Sequence, residues 1–440
     1  MNPAFFLNPA LRRQFDDATA RRHDSDTAPL ADRQLAGVAR SWADAVADVP
    51  YYSRLVAEKR APETIRSWSD VAALPVLTRQ DLQAHAPEFI RRSGPPDGFM
   101  TTAGSTGTPL RIGMNQAERD LMRIVKLSAW QMFGYDRSSR LFLIWGHAHL
   151  LGTGWRGRVN HLRRRLADAA LGYRRVDAYR LTRANCAMYA EALLAFGPIG
   201  LIGYAAALDL FARYTTAYRE RFRRAGLRFV LATAEAPPRP DTIDVLEDHF
   251  GCPFVQEYGG AEFGQVAFKI SREPFDTYSD LNLVEARALD DPASLVITSL
   301  YPRYVPLIRY QVGDAIDGAS TEPHGHVTRF AALRGRVNDV IMLGDGDAIH
   351  SVSIFHCVHQ ERVHNIQLVL HDGRIELCLV SSETDRPSME ARIRARLAQV
   401  HPSLAHATFT YLEDVQTPRA GKRRWYVDRR TTIPCAASPA

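Results

Sequence analysis

A segment of glycine and hydroxyl residues, TTAGSTGTPL at 101–110, has the composition of a loop that could bind phosphate. Gly104 and Gly107 would let the backbone approach a ligand closely, and amides between them would point inward beside the hydroxyls of Ser105 and Thr106. A Walker-type loop is excluded, because that motif places a lysine after its second glycine and the segment has none. Taken alone, a segment of this composition is more often a plain polar loop.

Four later segments carry side chains suited to nucleotide and carboxylate chemistry. EYGGAEFG (257–264) offers a tyrosine and a glutamate, PLIRYQVGD (306–314) an aspartate, and LRGRVNDVIML (333–343) an arginine near an aspartate. RAGKRRWYVDRR (419–430) contains Lys422, one of four lysines in the chain. Each segment alone also fits a structural role, such as a strand end, a cap or a solvated surface pair. Five such segments along one chain favour a single functional site.

In this order the five segments resemble the motifs of adenylate-forming enzymes, the superfamily of acyl-CoA synthetases, nonribosomal-peptide adenylation domains and luciferases. Within it, the chain resembles the phenylacetate-CoA ligase and CapK-like branch in total length and in the segments VPYYSRLV (49–56), LPVLTRQDL (74–82), GLIGYAAALDLFA (200–212) and TAEAPP (233–238). The resemblance implies an α/β fold with a large N-terminal domain of mixed and parallel sheets, residues 1–335. A small mobile C-terminal α+β domain, residues 336–440, would follow.

The resemblance implies an ATP site built by Thr102, Gly104, Ser105, Thr106, Gly107, Glu235, Tyr258, Gly259, Asp314 and Arg336. Tyr258 would lie beside the adenine, and Asp314 and Arg336 would hold the ribose. Two residues would be catalytic: Glu262, as the ligand of Mg²⁺, and Lys422, which would reach the reacting groups from the small domain.

A pocket for the acid would, by the same resemblance, be lined by Trp145, His147, Tyr204 and Ala234. These side chains suggest a flat aromatic or compact acyl group. The chain also departs from the superfamily pattern. Ala103 and Ala261 replace hydroxyl residues, Leu110 stands where many members have lysine, and Asn338 stands at the usual aspartate of the hinge.

The implied reaction activates a carboxylic acid with ATP and Mg²⁺ as an acyl-adenylate, releasing pyrophosphate. The acyl group then passes to a thiol, either of CoA or of a phosphopantetheinyl carrier protein. Two alternatives stay open: the same adenylation followed by amide formation with an amine, and a non-catalytic nucleotide-binding homologue. The acid, the acceptor, the pathway and the oligomeric state, monomer or homodimer, are not fixed by the sequence.

The composition is that of a soluble globular protein, with 46% hydrophobic and 24% charged residues among 440. Residues 192–208 carry no charge, but glycines and a proline interrupt them and they are shorter than the roughly 20 residues of a spanning helix. They are predicted to be a helix end, a buried strand and a turn. The N-terminal sequence has no secretory signal pattern, so a cytoplasmic location without membrane binding is expected.

The net charge of +6 comes almost entirely from arginine. The densest cluster, residues 155–175, has helical spacing and is predicted to be a solvated helix face. An alternative is a docking site for an anionic cofactor or an acidic carrier protein, whereas nucleic-acid binding is not expected. Five scattered cysteines and three close histidine pairs lack the spacing of metal ligands, so no disulfide framework or zinc site is expected.

The elements that must position these residues follow from hydrophobic periodicity. Residues 1–100 are predicted to be mainly helical, with a capping box at Thr78 and Asp81. Strands at 140–147, 200–204, 227–234 and 253–260 alternate with helices at 184–196, 206–224 and 239–250, which predicts parallel pairing. Antiparallel strands are expected at 294–300 and 326–335. The C-terminal unit should contain a hairpin at 366–380, a helix at 388–400 and a strand at 407–415.

Overall fold

The computed structural model describes residues 12–13, 15–17, 29–101, 110–146, 154–178, 181–234, 236–287, 294–334, 340–342, 348–350, 354, 357–358, 361, 363–372, 374–412 and 426–429. The segments 102–109 and 335–339, and Lys422, lie outside them.

The α-helices whose two ends both lie within the described residues are α1 Leu30–Asp48, α2 Pro50–Ala57, α3 Trp68–Ala73, α4 Arg79–Ala84, α5 Gln116–Ala129, α6 Gly154–Ala170, α7 Arg183–Phe196, α8 Ala205–Tyr214, α9 Arg219–Arg223, α10 Thr242–Phe250 and α11 Arg386–Val400. The predicted capping box is confirmed: the Thr78 hydroxyl accepts the Asp81 amide at 3.1 Å, and the Asp81 carboxylate accepts the Thr78 amide at 2.8 Å. Because the backbone amides of Thr78 and Asp81 both have hydrogen-bond acceptors in this arrangement, the start of α4 is fixed at this position.

The strands are β1 Gly98–Thr101, β2 Arg111–Met114, β3 Leu141–Trp145, β4 Tyr173–Asp177, β5 Gly200–Gly203, β6 Phe229–Thr233, β7 Phe254–Gly260, β8 Gly264–Ile270, β9 Phe275–Thr277, β10 Asn282–Arg287, β11 Ser294–Ser299, β12 Tyr310–Asp317, β13 Ser320–Thr321, β14 Val327–Phe330, β15 Ala332–Arg334, β16 Val340–Met342, β17 Ala348–His350, β18 Val363–His371, β19 Arg374–Ser381, β20 Thr408–Tyr411 and β21 Tyr426–Asp428. Every strand predicted in the α/β region is present. The mixed α/β fold class expected from the sequence is therefore confirmed.

The main sheet, as far as the structure describes it, has nine strands in the order β13-β14-β9-β8-β7-β6-β5-β3-β4. The run β7-β6-β5-β3-β4 is parallel, and β8, β9, β13 and β14 are antiparallel to their neighbours. Alternate side chains of each parallel strand enter different cores: Phe142 and Ile144 pack towards α7 and α8, whereas Leu141 and Leu143 pack towards α5. Helices therefore cover both faces, and in open sheets of this kind ligands generally bind at the edge where the parallel strands end.

A second antiparallel sheet of the described chain, β10-β11-β12-β15, packs with α1 to α4 around one core that includes Trp42, Tyr52 and Tyr310. The C-terminal residues form a separate core between Ile354 and Ala407, where α11 covers the sheet β20-β19-β18-β21. The predicted hairpin, helix and strand of this unit are present. The boundary proposed between residues 335 and 336 falls outside the described residues.

Four sequence-based boundaries are corrected by the structure. The helix predicted at 206–224 is interrupted after α8, where the Thr215 hydroxyl donates to the Phe211 carbonyl at 2.6 Å and competes with backbone pairing. The turn expected at the end of 192–208 is the start of α8. Helical structure in the basic cluster 155–175 ends with α6, because β4 begins at Tyr173.

The fourth correction concerns the strand predicted at 326–335. It divides at Ala331, because β14 pairs with β9 in the main sheet while β15 pairs with β12 in the second sheet. Periodicity alone does not reveal this change of partner, because it does not identify which strands pair with each other. None of the helices in the described ranges is both long enough and apolar enough to cross a membrane.

Candidate active site

Three adjacent parallel strands bring predicted acid-binding residues to one edge of the main sheet. Trp145 ends β3, Tyr204 follows β5, and Ala234 follows β6. The next strand, β7, carries Tyr258 and Gly259 near its own carboxyl end. In open α/β sheets ligands bind in the crevice at this edge, so these residues occupy one candidate site.

Trp145 and Tyr204 form an aromatic pair at this edge. Their ring centroids are 4.7 Å apart and their planes are inclined by 24°, which is a stacked arrangement. Tyr204 is buried, and its backbone carbonyl accepts the Leu208 amide at the start of α8. Trp145 is partly exposed, so the exposed apolar surface of the pair comes mainly from its indole ring.

Ala234 has an unusual backbone conformation, with φ at 73°. A positive φ costs a residue with a side chain about 1 kcal/mol or more, because its Cβ approaches the carbonyl oxygen. Such strain occurs preferentially at functional sites. It supports Ala234 as part of the crevice. The neighbouring Glu235 lies outside the described residues.

Tyr258 and Asp314, both predicted to contact the nucleoside, are in direct contact. The Tyr258 hydroxyl donates to Asp314 Oδ2 at 2.8 Å. Tyr258 belongs to β7 of the main sheet and Asp314 to β12 of the second sheet, so this bond joins the two sheets. Both side chains are partly exposed and accessible to a ligand.

Gly259 has a packing role that the sequence did not indicate. A Cβ at this position would overlap the carbonyl oxygen of Gly264 across the β7–β8 pair. The pairing also shifts register between Tyr258 and Gly259, which marks a bulge. Glycine is therefore required here for backbone approach within the sheet, whatever it contacts in a ligand.

Glu262 lies in the turn that joins β7 to β8. Its side chain is partly exposed, and none of the described residues donates a hydrogen bond to its carboxylate. An exposed carboxylate without such a donor suits a hard cation such as Mg²⁺, which prefers oxygen ligands. The turn itself is held firmly: Arg303 Nη2 donates to the Glu262 carbonyl at 2.5 Å, and the Tyr301 hydroxyl donates to the Phe263 carbonyl at 3.4 Å.

Arg303 belongs to a buried ion pair that sequence reasoning missed. Its Nε donates to Glu118 Oε1 at 3.0 Å, and Glu118 Oε2 accepts the Tyr304 amide at 2.9 Å. Both side chains are nearly fully buried. The pair connects α5 to the Glu262 turn. Its members are 185 positions apart, so no local sequence pattern could have revealed it.

Arg309, within the segment 306–314, was not assigned a role either. It is buried, has a positive φ of 51°, and forms an ion pair with Glu285 at 2.8 Å. Its Nη1 donates to the carbonyls of Val71, Ala72 and Leu74. Arg309 thereby ties the start of β12, the strand of Asp314, to the helical N-terminal part.

Glu257, immediately before Tyr258, faces the core beneath the sheet. Its Oε1 accepts hydrogen bonds from Trp130 Nε1 at 3.0 Å and from the Tyr278 hydroxyl at 3.2 Å. Burial raises the pKa of Glu257, and loss of solvent around Lys126 lowers the pKa of that lysine. The Lys126 ammonium lies 4.8 Å from the Trp130 ring centroid. Because side chains alternate along a strand, this polar cluster contacts β7 on the face opposite Tyr258.

Several predicted site residues lie outside the described residues: Thr102, Gly104, Ser105, Thr106, Gly107, His147, Glu235, Arg336, Asn338 and Lys422. Leu110, just after the phosphate-loop segment, is 2% exposed and packs in the core with α1 to α4. A lysine at that position would have to be buried. The leucine is therefore a core residue here.

The histidines at 324 and 326 have structural partners. His324 Nε2 lies 2.9 Å from Gln34 Oε1, and the His326 ring accepts the Val284 amide at 3.1 Å. Among the described residues, no cluster of three histidine, cysteine or acidic side chains could hold a metal ion.

The fold of the chain is similar to that of a solved CoA ligase, as expected from the sequence motifs. The fold matches 2-hydroxyisobutyryl-CoA ligase in complex with 2-HIB-AMP and CoA in the thioesterification state, with a TM-score of 0.57 and 18% identity over 92% of this chain and 91% of the ligase. An open conformation of that ligase gives a TM-score of 0.51 and 17% identity over 91% and 90% of the two chains.

A sequence relative covers most of the chain. Protein CapK of Staphylococcus aureus is 18% identical over 395 residues, which is 86% of this chain and 84% of CapK. No protein-family model matches the chain. The fold resemblance is thus established across most of the chain, at low sequence identity.

Proposed function

We propose that this protein activates a carboxylic acid with ATP and transfers the acyl group to a thiol. The observation that carries the proposal is the bond between Tyr258 and Asp314. Two residues assigned to the nucleoside by separate motifs are in contact from separate sheets, beside the crevice of a ligase-like fold.

The acyl carbon of a free carboxylate is a poor electrophile, so the acid must first be activated. A carboxylate oxygen attacks the α-phosphorus of ATP, the bond to the β-phosphate oxygen breaks, and pyrophosphate leaves. A thiol sulfur then attacks the acyl carbon of the acyl-adenylate; its proton passes to solvent, and AMP leaves. The protein must align the attacking oxygen with the leaving pyrophosphate and neutralise charge on the phosphate oxygens.

The chain supplies groups for these tasks. Tyr258 and Asp314 would orient the adenosine, and Arg336 would assist at the ribose. The amides and hydroxyls of 102–107 would bind the outer phosphates. Glu262 would supply an oxygen ligand to Mg²⁺, which when bound neutralises phosphate charge.

Lys422 would stabilise the charge that develops at the α-phosphate and the carboxylate. We propose that it is carried by a small domain, residues 336–440, that follows a large domain, residues 1–335. Rotation about Asn338 would withdraw Lys422 after adenylation and admit the thiol.

The acid is proposed to be aromatic. The partly exposed indole ring of Trp145, stacked on the buried Tyr204, offers a flat surface on which an aryl group could pack. Ala234, next to this surface, adds little bulk, and His147 would complete the pocket. The ATP requirement agrees with the cytoplasmic location expected from the sequence. CoA and a pantetheinyl carrier protein are the two proposed acceptors.

A pyrophosphate-release screen with aryl and aliphatic acids tests the proposal. One acid or a narrow group should give release that depends on ATP and Mg²⁺, and Lys422→Ala should reduce it by about 10²-fold or more. Lys59→Ala is the matched control, because Lys59 is an exposed lysine far along the chain from every predicted site residue. No release with any acid, despite ATP binding by calorimetry, would overturn the proposal and select a non-catalytic homologue.

The acceptor is tested separately. The acyl-adenylate formed in the screen is offered CoA, a holo-carrier protein or an amine, and the product is identified by mass. Thioester formation supports the proposal, whereas an amide product with no thioester would replace it with the alternative acyl transfer to nitrogen.

A further inference from the structure

Helix α6 exposes a continuous apolar stripe to solvent. Trp155, Val159, Leu162 and Leu166 are spaced by four, three and four residues, which aligns them along one side of a helix. Their exposed fractions are 71%, 36%, 58% and 63%. Four large apolar side chains in one row are unlike the single exposed hydrophobic residues of ordinary surfaces.

The opposite side of α6 packs on the protein. Gly157 is buried, and Arg164 and Asp168 are partly buried on that side. Asp168 forms an ion pair with Arg175 of β4, with 3.0 Å between Oδ1 and Nη2. A surface helix normally turns its apolar side inward, so α6 is inverted. Its apolar stripe points away from the molecule.

Exposed arginines border the stripe on both sides. At 3.6 residues per turn, Arg156 and Arg163 lie along one margin and Arg158 and Arg165 along the other. The Arg156 guanidinium also lies 5.6 Å from the Trp155 ring centroid. A row of apolar side chains that includes a tryptophan, with cations on each side of the row, is the pattern of helices that lie in the plane of a membrane interface.

We propose that α6 binds an anionic phospholipid surface, with its stripe inserted at the level of the headgroups. The four arginines would contact lipid phosphates while their aliphatic stems cover the edges of the stripe. No spanning helix is needed for such binding. The proposal goes beyond the expectation of a solvated helix face and differs from the expectation of no membrane partner, and it is independent of the proposed acyl transfer.

The distribution of charge favours a lipid surface over two protein occupants. A second copy docked by α6 against α6 would bring arginine against arginine on both margins. An acidic helix of another protein would neutralise the arginines of one margin more readily than those of both, because two cylindrical helices touch along a narrow line and the margins lie on opposite sides of the stripe. A flat anionic surface contacts both margins at once.

Co-sedimentation of the full-length protein with vesicles is the direct test. Binding is expected to vesicles of equimolar phosphatidylcholine and phosphatidylglycerol, and not to vesicles of phosphatidylcholine alone. Added salt should weaken it, because the arginine contribution is screened.

Two double variants separate the apolar and the charged contributions. Arg158→Gln with Arg165→Gln should weaken vesicle binding roughly 30-fold, since each cation near an anionic surface contributes about a factor of five. Leu162→Gln with Leu166→Gln should weaken it by about tenfold or more. All four side chains are exposed, so folding should be retained. Matched controls are Met132→Gln, at a site 51% exposed outside α6, and Arg224→Gln, after α9.

Trp155 provides a reporter within the stripe. Its emission should shift to shorter wavelength and become protected from iodide when anionic vesicles are added. The shift should be absent in Trp155→Phe, which removes the reporter.

Three results would each overturn the proposal. The first is no vesicle binding, and the second is binding that the α6 variants leave unchanged. The third is that the protein binds itself or an acidic carrier protein instead of vesicles, and that the α6 variants abolish this protein–protein binding. That result would assign the stripe to a protein partner.

Discussion

The Tyr258 hydroxyl donates to Asp314 Oδ2 at 2.8 Å and thereby joins the main sheet to the second sheet at the candidate nucleotide site. The bond restrains the carboxylate that would receive the ribose hydroxyls. The Asp314 carboxylate would therefore already be oriented to accept hydrogen bonds from a nucleoside, and binding would cost less free energy for ordering this side chain.

We expect Asp314→Ala to weaken AMP binding by about tenfold or more, because it removes a charged hydrogen-bond acceptor. Tyr258→Phe should weaken it about fivefold, since one hydrogen bond contributes about 1 kcal/mol and the ring is kept. Isothermal calorimetry with AMP measures both effects without requiring turnover.

The double variant decides whether the two residues act together. If the Tyr258 hydroxyl acts by orienting Asp314, its removal should have little further effect once the carboxylate is absent. Fully additive losses would contradict the pairing. Tyr218→Phe, a partly exposed tyrosine remote in sequence from these motifs, should bind AMP as the unchanged protein does.

Arg303→Lys tests the support of the Glu262 turn. Lysine keeps the charge opposite Glu118 but lacks the planar fork that also reaches the Glu262 carbonyl. The Mg²⁺ concentration for half-maximal pyrophosphate release should rise several-fold, with an unchanged KM for the acid. The free energy of unfolding should fall by about 1–3 kcal/mol.

Arg309→Lys is the matched control for this prediction. Arg309 is also buried, and its guanidinium donates to several backbone carbonyls at the N-terminal helices. The control should lose comparable stability without a change in Mg²⁺ dependence. Equal Mg²⁺ dependence in both variants would show that Arg303 has only a structural role.

Gly259→Ala should destabilise the protein, because its Cβ would overlap the Gly264 carbonyl oxygen and force β7 and β8 apart. Overpacking of this kind costs about 1–3 kcal/mol in the free energy of unfolding, measurable by urea denaturation. Gly98→Ala is the control, because there the nearest atom to a Cβ would be Arg119 Nη1 at 3.5 Å. An unaltered stability of Gly259→Ala would contradict the observed strand pairing.

The parts of this molecule that sequence could predict are local. The Thr78–Asp81 capping box depends on residues three positions apart, and the parallel strands can be predicted because they are short apolar runs in the sequence. The segments that carry Tyr258, Glu262 and Asp314 are also contiguous, and the roles assigned to them stay predictions.

The parts that sequence missed depend on partners distant in the chain. Glu118 and Arg303 stand 185 positions apart, and nothing around either residue indicates the other. The inverted orientation of α6 was missed for a related reason: periodicity identifies an apolar stripe but not whether it faces the core. The split at Ala331 likewise depends on which strands are available to pair.

Stability should fall in mild acid because of His326. Burial, with a smaller contribution from His324, lowers the pKa of His326 to about 4, and its Nδ1 accepts the Val284 amide, which protonation would prevent. The unfolded chain, with a histidine pKa near 6.5, then binds more protons, so the free energy of unfolding falls as the pH falls through this window. From about pH 7 to about pH 5 this one group should cost about 2 kcal/mol in urea denaturation. His326→Gln should reduce that difference whatever its absolute stability, whereas His161→Gln, exposed on α6, should leave it unchanged. A pH difference that is the same in all three proteins would show that His326 is not the group responsible.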